Sequence, residues 1–522
     1  MSRSFSLQCF SLSIILASGI TACGDSPGAP EQPTPKVPVP AAVAPTTPLS
    51  LTGVVADSVT VAVRVTDAGN QGVANAVVRF EVIEGAGTAK SPQVTTDSHG
   101  DAQAAWILST VPGSNRLRAS VLQLTPVEFV ATTQPGAAAT LSVQAQPGGA
   151  KIGSVLESLP VIELRDRFGN AATAPAVTVT VSIASGGGAL TGTTTVSSRD
   201  GVARFEDIQI SGPVGPRTLR FEAPALGSIN SSPFTVMPAA RSAIDRPDDL
   251  PGPQIHFVYA VPSDAPDRSF DTALGLAYSV MSFQSWLALK TGYRLRVDTY
   301  RGAADVTFLK LDKTDQQIAA AGPFVRDTIE RFMRVTGQLA ADKIYAVYYD
   351  GTSTYACGGA SWPPLLIGQL AAMYMRGLPQ SASPCSSAVF VNASTEFPRY
   401  WEFAMLHDLL HTLGIVSREA PHHVASRPAH VGEPRDLMYA GDAPWQLGTV
   451  TTVDVDEDDY FGQSVAPGLA NLAGSPYVER VSPAFNVFSE LTPLSAEAVR
   501  KLAHDAVTLP VHPDFGVLIR NR

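Results

Sequence analysis

The sequence is poor in charge and in cysteine. Only 16% of its 522 residues are charged, with 37 Lys and Arg against 47 Asp and Glu. Such an acidic chain lacks the basic surface that binds nucleic acid, so we expect no nucleic-acid partner. It has four cysteines and contains no G-x-S-x-G elbow, P-loop or dinucleotide fingerprint. These absences argue against serine hydrolases and nucleotide enzymes.

Glycine and proline are abundant, at 42 and 41 residues, and 45% of the chain is hydrophobic. That hydrophobic content is too high for general disorder. The glycine and proline favour turns and short strands over long helices. The length predicts about three to four domains.

Residues 1–23 have the pattern of an export signal, with Arg3 followed by a short apolar run. The run is too short to span a bilayer. It ends in Ile-Thr-Ala-Cys, which resembles the bacterial lipobox and implies lipidation of Cys23; an ordinary secretory signal is the alternative. Residues 24–48 are a proline-rich linker. We therefore predict an exported bacterial lipoprotein, at the outer membrane or cell surface, that touches the membrane only through its lipid.

Cys357 and Cys385 remain after export, because Cys9 leaves with the signal and Cys23 carries the lipid. An even pair in an oxidising compartment predicts a disulfide between them. Two free buried thiols are the alternative.

Residues 50–240 contain an internal repeat. Residues 63–67 (VRVTD) are echoed about 100 residues later by residues 162–166 (IELRD), and a Gly-Asn turn follows each copy. Short alternating strands broken by turns predict two antiparallel sandwiches, at 49–136 and 137–240. The repeats resemble bacterial immunoglobulin-like domains of the invasin/intimin type. Because neither repeat contains a cluster of chemically active residues, a stalk that presents the C-terminal domain is the favoured interpretation, with direct adhesion as the alternative.

The pattern of predicted secondary structure changes after a second linker, residues 241–254. Interleaved strand and helix patterns predict an α+β domain at 255–470, followed by an extension, 471–522, of unassigned role. The predicted fold is thus multidomain, with two all-β immunoglobulin-like sandwiches before an α+β domain.

Histidines cluster in that domain. Five of the nine lie between 407 and 430, namely His407, His411, His422, His423 and His430. His407 and His411 fall four residues apart on a predicted helix that stops at Gly414, so both imidazoles project from one face. Two nitrogens at this spacing can reach one Zn²⁺ at about 2.0–2.1 Å.

The pattern H-D-x-x-H-x-x-G at 407–414 resembles the zincin helix in its metzincin extension. Residues 436–439 (DLMY) resemble the Met-turn, which places Met438 beneath the metal. The stretch 400–445 is similar to secreted bacterial proteins regarded as zinc metallopeptidases. The resemblance implies a zincin-like fold, bound Zn²⁺ and a protein or peptide substrate.

The sequence departs from that pattern twice. Ser417 stands where the third histidine ligand is expected. We favour His430 as the third ligand, because it lies eight residues before Met438 and the similar proteins keep a histidine there; His422 is the alternative and His423 is also available.

The second departure is the general base, which is Asp408 instead of glutamate and is about 1.3–1.5 Å shorter in reach. Errors of about 1 Å in position can cost on the order of 100-fold in rate. Tyr439 is a candidate oxyanion stabiliser. The main hypothesis is a cell-surface zinc endopeptidase. The alternative is a non-catalytic surface adhesion or binding protein with a degenerate protease domain.

A calcium site has weak support. Asp454, Asp456 and Asp458 alternate like a Ca²⁺ loop, but Asp459 and Val465 replace the expected glycine and glutamate. A solvated acidic face is the favoured interpretation. The sequence indicates no oligomeric state and no substrate preference.

Overall fold

The computed structural model describes residues 37–173, 175–377 and 398–481. Cys23 with its signal, Cys385 and most of the predicted extension 471–522 lie outside the described residues. Within them, no helix is long and apolar enough to cross a membrane. The chain forms two compact units, one ending at Gln134 and the other beginning at Pro135.

The first unit is a β-sandwich. Its strands are β1 (Ala42–Pro45), β2 (Ser50–Val54), β3 (Ser58–Thr66), β4 (Val77–Glu84), β5 (Thr88–Ala89), β6 (Gln93–Thr95), β7 (Asp101–Ile107), β8 (Gly113–Ser120) and β9 (Val127–Gln134). They form two sheets, ordered β1-β3-β7-β5 and β2-β9-β8-β4-β6. Neighbours are antiparallel apart from β2 and β9, which are parallel.

Alternate residues of both sheets fill the core between them, including Val63 of β3, Trp106 of β7 and Phe129 of β9. This alternation is the period-two pattern that predicted the strands. The turn after β3 is held by Asp67, whose Oδ1 accepts the backbone N–H groups of Gly69 and Gln71, both at 2.9 Å. The predicted first sandwich is confirmed.

The second sandwich contains eleven strands among the described residues. They are β10 (Thr140–Ala145), β11 (Ala150–Lys151), β12 (Val161–Arg165), β13 (Thr178–Ser185), β14 (Ala189–Thr191), β15 (Thr195–Ser197), β16 (Val202–Arg204), β17 (Gln209–Ser211), β18 (Gly215–Ala223), β19 (Gly227–Asn230) and β20 (Phe234–Met237). The sheets are β10-β12-β16, β11-β20-β18-β13-β15 with β19 paired to β18, and the pair β14-β17. Asp166 repeats the turn of the first copy, with Oδ1 accepting from Phe168 and Asn170. The second predicted sandwich is also confirmed.

The C-terminal domain is built on a five-stranded sheet, ordered β25-β21-β26-β28-β27. The first four strands are parallel and β27 is antiparallel to β28. Its elements are β21 (Gln254–Val261), α1 (Leu274–Thr291), β22 (Tyr293–Leu295), β23 (Thr299–Tyr300), β24 (Ala303–Ala304), β25 (Val306–Lys310), α2 (Asp315–Ala319), a 3-10 turn (Gly322–Phe324), α3 (Val325–Val335), β26 (Lys343–Tyr349), β27 (Gly358–Trp362), β28 (Leu366–Tyr374), α4 (Tyr400–Thr412), a second 3-10 turn (Leu472–Gly474) and β29 (Val478–Arg480).

Helices cover both faces of this sheet. Every residue of β21 and β26 is buried, as expected for central strands of a parallel sheet. One face packs against α1 and α4, and the other packs against α2 and α3. The domain is therefore a three-layer arrangement of helices, sheet and helices.

Helix α1 also packs against the second sandwich. Ala277 is 7% exposed and belongs to the sandwich core, with Leu274, Tyr278 and Met281 packed beside it. Apolar residues of the helix face both cores, since Leu276 and Phe283 belong to the core of the C-terminal domain. The second sandwich is thus packed against the C-terminal domain, which the stalk interpretation did not predict.

Three predicted boundaries differ from the structure. Residues 42–45 of the linker 24–48 form β1, an edge strand where proline is tolerated because one N–H side stays unpaired. The linker 241–254 is packed on the C-terminal domain, where Lys343 Nζ binds Asp245 at 2.5 Å and Asp248 at 2.8 Å. Residues 478–480 of the extension form β29, which pairs with β22.

Candidate metal centre

Helix α4 carries the first two histidines of the predicted site. All thirteen of its residues are buried, so the helix runs through the core with no face exposed to solvent. At its start, the Glu402 carboxylate accepts the Arg399 N–H at 2.9 Å. The helix ends at Thr412, and Gly414, with φ 78°, takes the left-handed conformation that follows many helices. The predicted stop at Gly414 matches this end.

The structure brings His407, His411 and His430 together. Their Nε2 atoms form a triangle with sides of 2.9 Å (407–411), 3.1 Å (407–430) and 3.2 Å (411–430). His407 and His411 are fully buried and His430 is 3% exposed. A tetrahedral Zn²⁺ bonded at about 2.0–2.1 Å to three nitrogens holds them about 3.3 Å apart. The triangle has the size that such an ion requires.

Backbone carbonyls fix which nitrogen of two rings carries the proton. His407 Nδ1 lies 2.6 Å from the Leu437 carbonyl oxygen, and His430 Nδ1 lies 2.9 Å from that of Pro428. A carbonyl can only accept, so Nδ1 donates and each Nε2 presents a lone pair. Burial lowers the pKa of His407 and His411 well below their usual range, and that of His430 to about 4. Converging neutral imidazoles are a donor set for a cation.

The cluster has three protein ligands among the described residues. No fourth His, Cys, Asp or Glu ligand atom of those residues joins the group within 4.8 Å. Structural zinc sites usually have four protein ligands, whereas catalytic sites keep three and an open position. His411 Nδ1 is buried and has no hydrogen-bond partner within the part of the chain that the structure describes. The donor set fits a three-ligand zinc centre.

Backbone bonds on either side of His430 hold it against α4. The Val424 N–H donates to the His430 carbonyl at 2.8 Å, and the Val431 N–H donates to the Met438 carbonyl at 3.0 Å. The Ala440 N–H donates in turn to the Val431 carbonyl. The third histidine is therefore positioned by the residues around the predicted Met-turn.

The alternative ligands lie elsewhere. His422 is 49% exposed and its Nδ1 lies 3.0 Å from Asp459 Oδ2; this carboxylate raises the pKa of His422. His423 Nε2 accepts the Ala429 N–H at 3.3 Å, so it supports the loop before His430. Ser417 Oγ accepts the Ala470 N–H at 3.2 Å. The structure groups neither His422 nor His423 with His407 and His411.

Asp408 points toward strand β27 and is fully buried. A Cβ added to Gly358 of β27 would lie 2.5 Å from Asp408 Oδ2. Neither carboxylate oxygen has a hydrogen-bond partner among the described residues. Burial raises the pKa of Asp408 well above its usual range, and the facing Gly359 N–H opposes that shift. An unpartnered buried carboxylate is costly unless a neighbouring cation or water compensates it.

Met438 and Tyr439 lie in the turn next to the cluster. Met438 is fully buried and its N–H donates to Asp436 Oδ1 at 2.7 Å. The Tyr439 hydroxyl donates to the Ala443 carbonyl at 2.9 Å. In this arrangement its proton is not available to stabilise an oxyanion. That role stays a prediction.

Two residues near the cluster were missed from the sequence. The Trp445 ring meets the His407 ring edge to face, with centroids 5.5 Å apart, and its Nε1 donates to the Asp436 carbonyl at 2.8 Å. Asp436 itself is buried and accepts three hydrogen bonds. Both fall inside the stretch 400–445 that carries the resemblance, which was the available signal.

The acidic residues after the turn have unequal roles. Asp454 Oδ2 accepts the N–H groups of Asp459, Tyr460 and Phe461 at 2.6–3.0 Å, so it folds its own loop. Asp456 and Asp458 lie near His422. Calcium binding here stays a prediction.

Cys357 is buried, at 2% exposed. Its predicted partner Cys385 lies outside the described residues, so the disulfide also stays a prediction.

No protein-family model matches this chain, and no curated protein matches it. Among solved structures it is similar to the adhesin InvE of Yersinia pseudotuberculosis, at 19% identity over 37% of this chain and 57% of that one, with a TM-score of 0.18. It is also similar to the Escherichia coli adhesin FdeC (16% identity, 41% of this chain and 69% of that one, TM-score 0.27). A third is invasin, titled a bacterial integrin-binding protein (22%, 35% and 37%, TM-score 0.19).

These structural neighbours are bacterial immunoglobulin-like adhesins. The matches span just over half of InvE and about a third of invasin. At these identities and TM-scores the similarity assigns neither an activity nor a partner to this chain.

Proposed function

We propose that the chain is an exported, cell-surface zinc endopeptidase whose C-terminal domain hydrolyses peptide bonds in proteins or peptides. The observation that carries the proposal is the Nε2 triangle of His407, His411 and His430, which has no fourth protein ligand among the described residues. A three-histidine centre with an open position is the arrangement of catalytic zinc. The peptide substrate follows from the zincin resemblance of residues 407–414.

The histidines would hold the ion, and Asp408 would handle the proton. When bound, Zn²⁺ supplies Lewis acidity at its open position, where it polarises a carbonyl and lowers the pKa of water to about 7. Asp408 follows His407 on α4 and is fully buried, with its carboxylate toward Gly358 of β27. A carboxylate oxygen of Asp408 takes a proton from the attacking water and passes it to the leaving nitrogen. Gly358 leaves the space that this carboxylate occupies.

The second candidate is a non-catalytic surface adhesion or binding protein that keeps the metal for structure. The observation that favours it is the position of Asp408, whose oxygens are not among the ligand atoms grouped within 4.8 Å at the cluster. Aspartate is also about 1.3–1.5 Å shorter than the usual glutamate, and errors of about 1 Å can cost on the order of 100-fold in rate.

Metal analysis and proteolysis of the purified full chain separate the two candidates. The endopeptidase contains one zinc per chain and cleaves casein, and chelators abolish the cleavage. Asp408→Asn keeps the zinc and loses the cleavage. Zinc without cleavage, in the wild type and in Asp408→Glu, would establish the non-catalytic candidate. A chain that binds no zinc would refute both.

A further inference from the structure

Asp436 is a buried carboxylate that holds the turn beside the metal cluster. It is 1% exposed. Its Oδ1 accepts the Met438 N–H at 2.7 Å and the Tyr460 hydroxyl at 2.6 Å, and its Oδ2 accepts the Val455 N–H at 3.0 Å. All three partners are donors, so the position requires a group that only accepts.

Two groups next to the Asp436 backbone contact the His407 ring. Leu437, the next residue, supplies the carbonyl that accepts from His407 Nδ1 at 2.6 Å. The Asp436 carbonyl accepts from Trp445 Nε1, and the Trp445 ring packs edge to face on His407. The Leu437 carbonyl and the Trp445 ring, which both contact the imidazole of His407, are therefore held in place by the Asp436 backbone. The Asp436 carboxylate anchors that backbone.

We propose that Asp436 is a positioning residue for the metal centre. By fixing the Leu437 carbonyl and Trp445, it sets the tautomer and the orientation of His407, so that Nε2 points into the triangle. The inference rests on the proposed function, because it takes zinc as the group that the triangle holds. It adds a residue to the site that neither ligates the metal nor touches the substrate.

The chain offers a matched control in Asp454. This carboxylate is 2% exposed and accepts four backbone N–H groups, those of residues 458–461. It stabilises the same loop that supplies Tyr460 to Asp436. Its hydrogen bonds hold only its own loop, whereas those of Asp436 reach the turn that contacts His407. A purely structural role predicts equal effects of changing either residue.

The experiment measures Zn²⁺ affinity of the full chain by competition with a chelator, together with the absorption spectrum after Co²⁺ loading. Asp436→Asn keeps the volume but points an amide N–H₂ at one of the donors. We expect it to weaken Zn²⁺ binding about 10-fold, the lower end of the range for groups that orient a metal ligand. The Co²⁺ spectrum changes with it. Asp454→Asn lowers the unfolding temperature and leaves Zn²⁺ affinity within twofold of the wild type.

Wild-type affinity in a folded Asp436→Asn chain would overturn the proposal, as would equal weakening in both variants. If Asp436→Asn does not fold, Tyr460→Phe decides, since it removes one donor to Asp436: threefold weaker Zn²⁺ binding supports the role and unchanged binding overturns it. A wild-type chain without Zn²⁺ affinity refutes the proposed function itself, which is a different result from zinc binding that is insensitive to Asp436.

Discussion

Gly358→Ala tests whether Asp408 serves as the base. The new Cβ would lie 2.5 Å from Asp408 Oδ2 and 2.8 Å from the Ala372 carbonyl oxygen. The Ala372 carbonyl belongs to β28, at the centre of a strand pair, and is the less mobile of the two neighbours. The Asp408 side chain therefore takes the larger shift, while the backbone of β27 and β28 must also yield slightly.

The size of the effect follows from these distances. Carbon–oxygen contacts in proteins are about 3.3 Å or longer, so the carboxylate must move by roughly 0.8 Å. Overpacking of a well-packed core costs about 1–3 kcal/mol of unfolding free energy. A displacement of about 1 Å at a catalytic group can cost on the order of 100-fold in rate. The metal ligands are not involved, so zinc content should not change.

The assay combines casein cleavage, zinc content and thermal unfolding of Gly358→Ala. We expect about 100-fold slower cleavage, one zinc per chain and a lowered unfolding temperature. Gly432→Ala is the control, because among the described residues its Cβ would meet only Val424 Cγ2, at 3.6 Å. Wild-type cleavage by a folded Gly358→Ala chain would refute the assignment of Asp408 as the base.

Three further predictions concern the metal, pH and domain packing. The His411→Ala variant should lose both its zinc and its activity. The His422→Ala variant should keep both, because His422 lies outside the cluster, and metal analysis of the two variants checks this. Burial raises the pKa of Asp166, but its hydrogen bonds outweigh burial and lower the pKa from 3.8 to about 2. The ionised carboxylate therefore stabilises the folded state above about pH 4, and this stabilisation is lost as the pH falls through 2. The loss is about 2 kcal/mol and is absent in Asp166→Asn, as thermal unfolding at pH 5 and pH 2 can show. A fragment of residues 135–522 should unfold cooperatively. A fragment of residues 241–522 exposes the apolar face of α1 and should aggregate, which light scattering can measure. Equal solubility of the two fragments would contradict the packing of α1 on the second sandwich.

The features that the sequence predicted correctly depend on local spacing. The repeated turns at Asp67 and Asp166 were visible because an aspartate followed by Gly-Asn closes a turn within four residues. His407 and His411 share a helix face for the same reason, since four residues fix their geometry. His430 needed the resemblance as well, because it lies nineteen positions after His411 and outside the helix.

What the sequence missed depends on contacts between distant residues. Lys343 binds Asp245 across 98 positions, which turned a predicted linker into a packed segment. The contact of Ala277 with the second sandwich is equally long in range. No periodicity marks such pairs, because each partner has an ordinary local pattern. Asp436 was missed since two of its three donors, Val455 and Tyr460, come from a loop 19 and 24 residues further along the chain.

The most direct test of the zinc centre is X-ray absorption at the zinc edge of the purified full chain. The three-histidine site predicts one zinc per chain, with three nitrogen neighbours at about 2.0–2.1 Å and one oxygen neighbour. The same spectrum should lose one nitrogen, or all zinc, in His430→Ala. A zinc with four protein ligands, a sulfur neighbour, or no bound zinc would contradict the central claim.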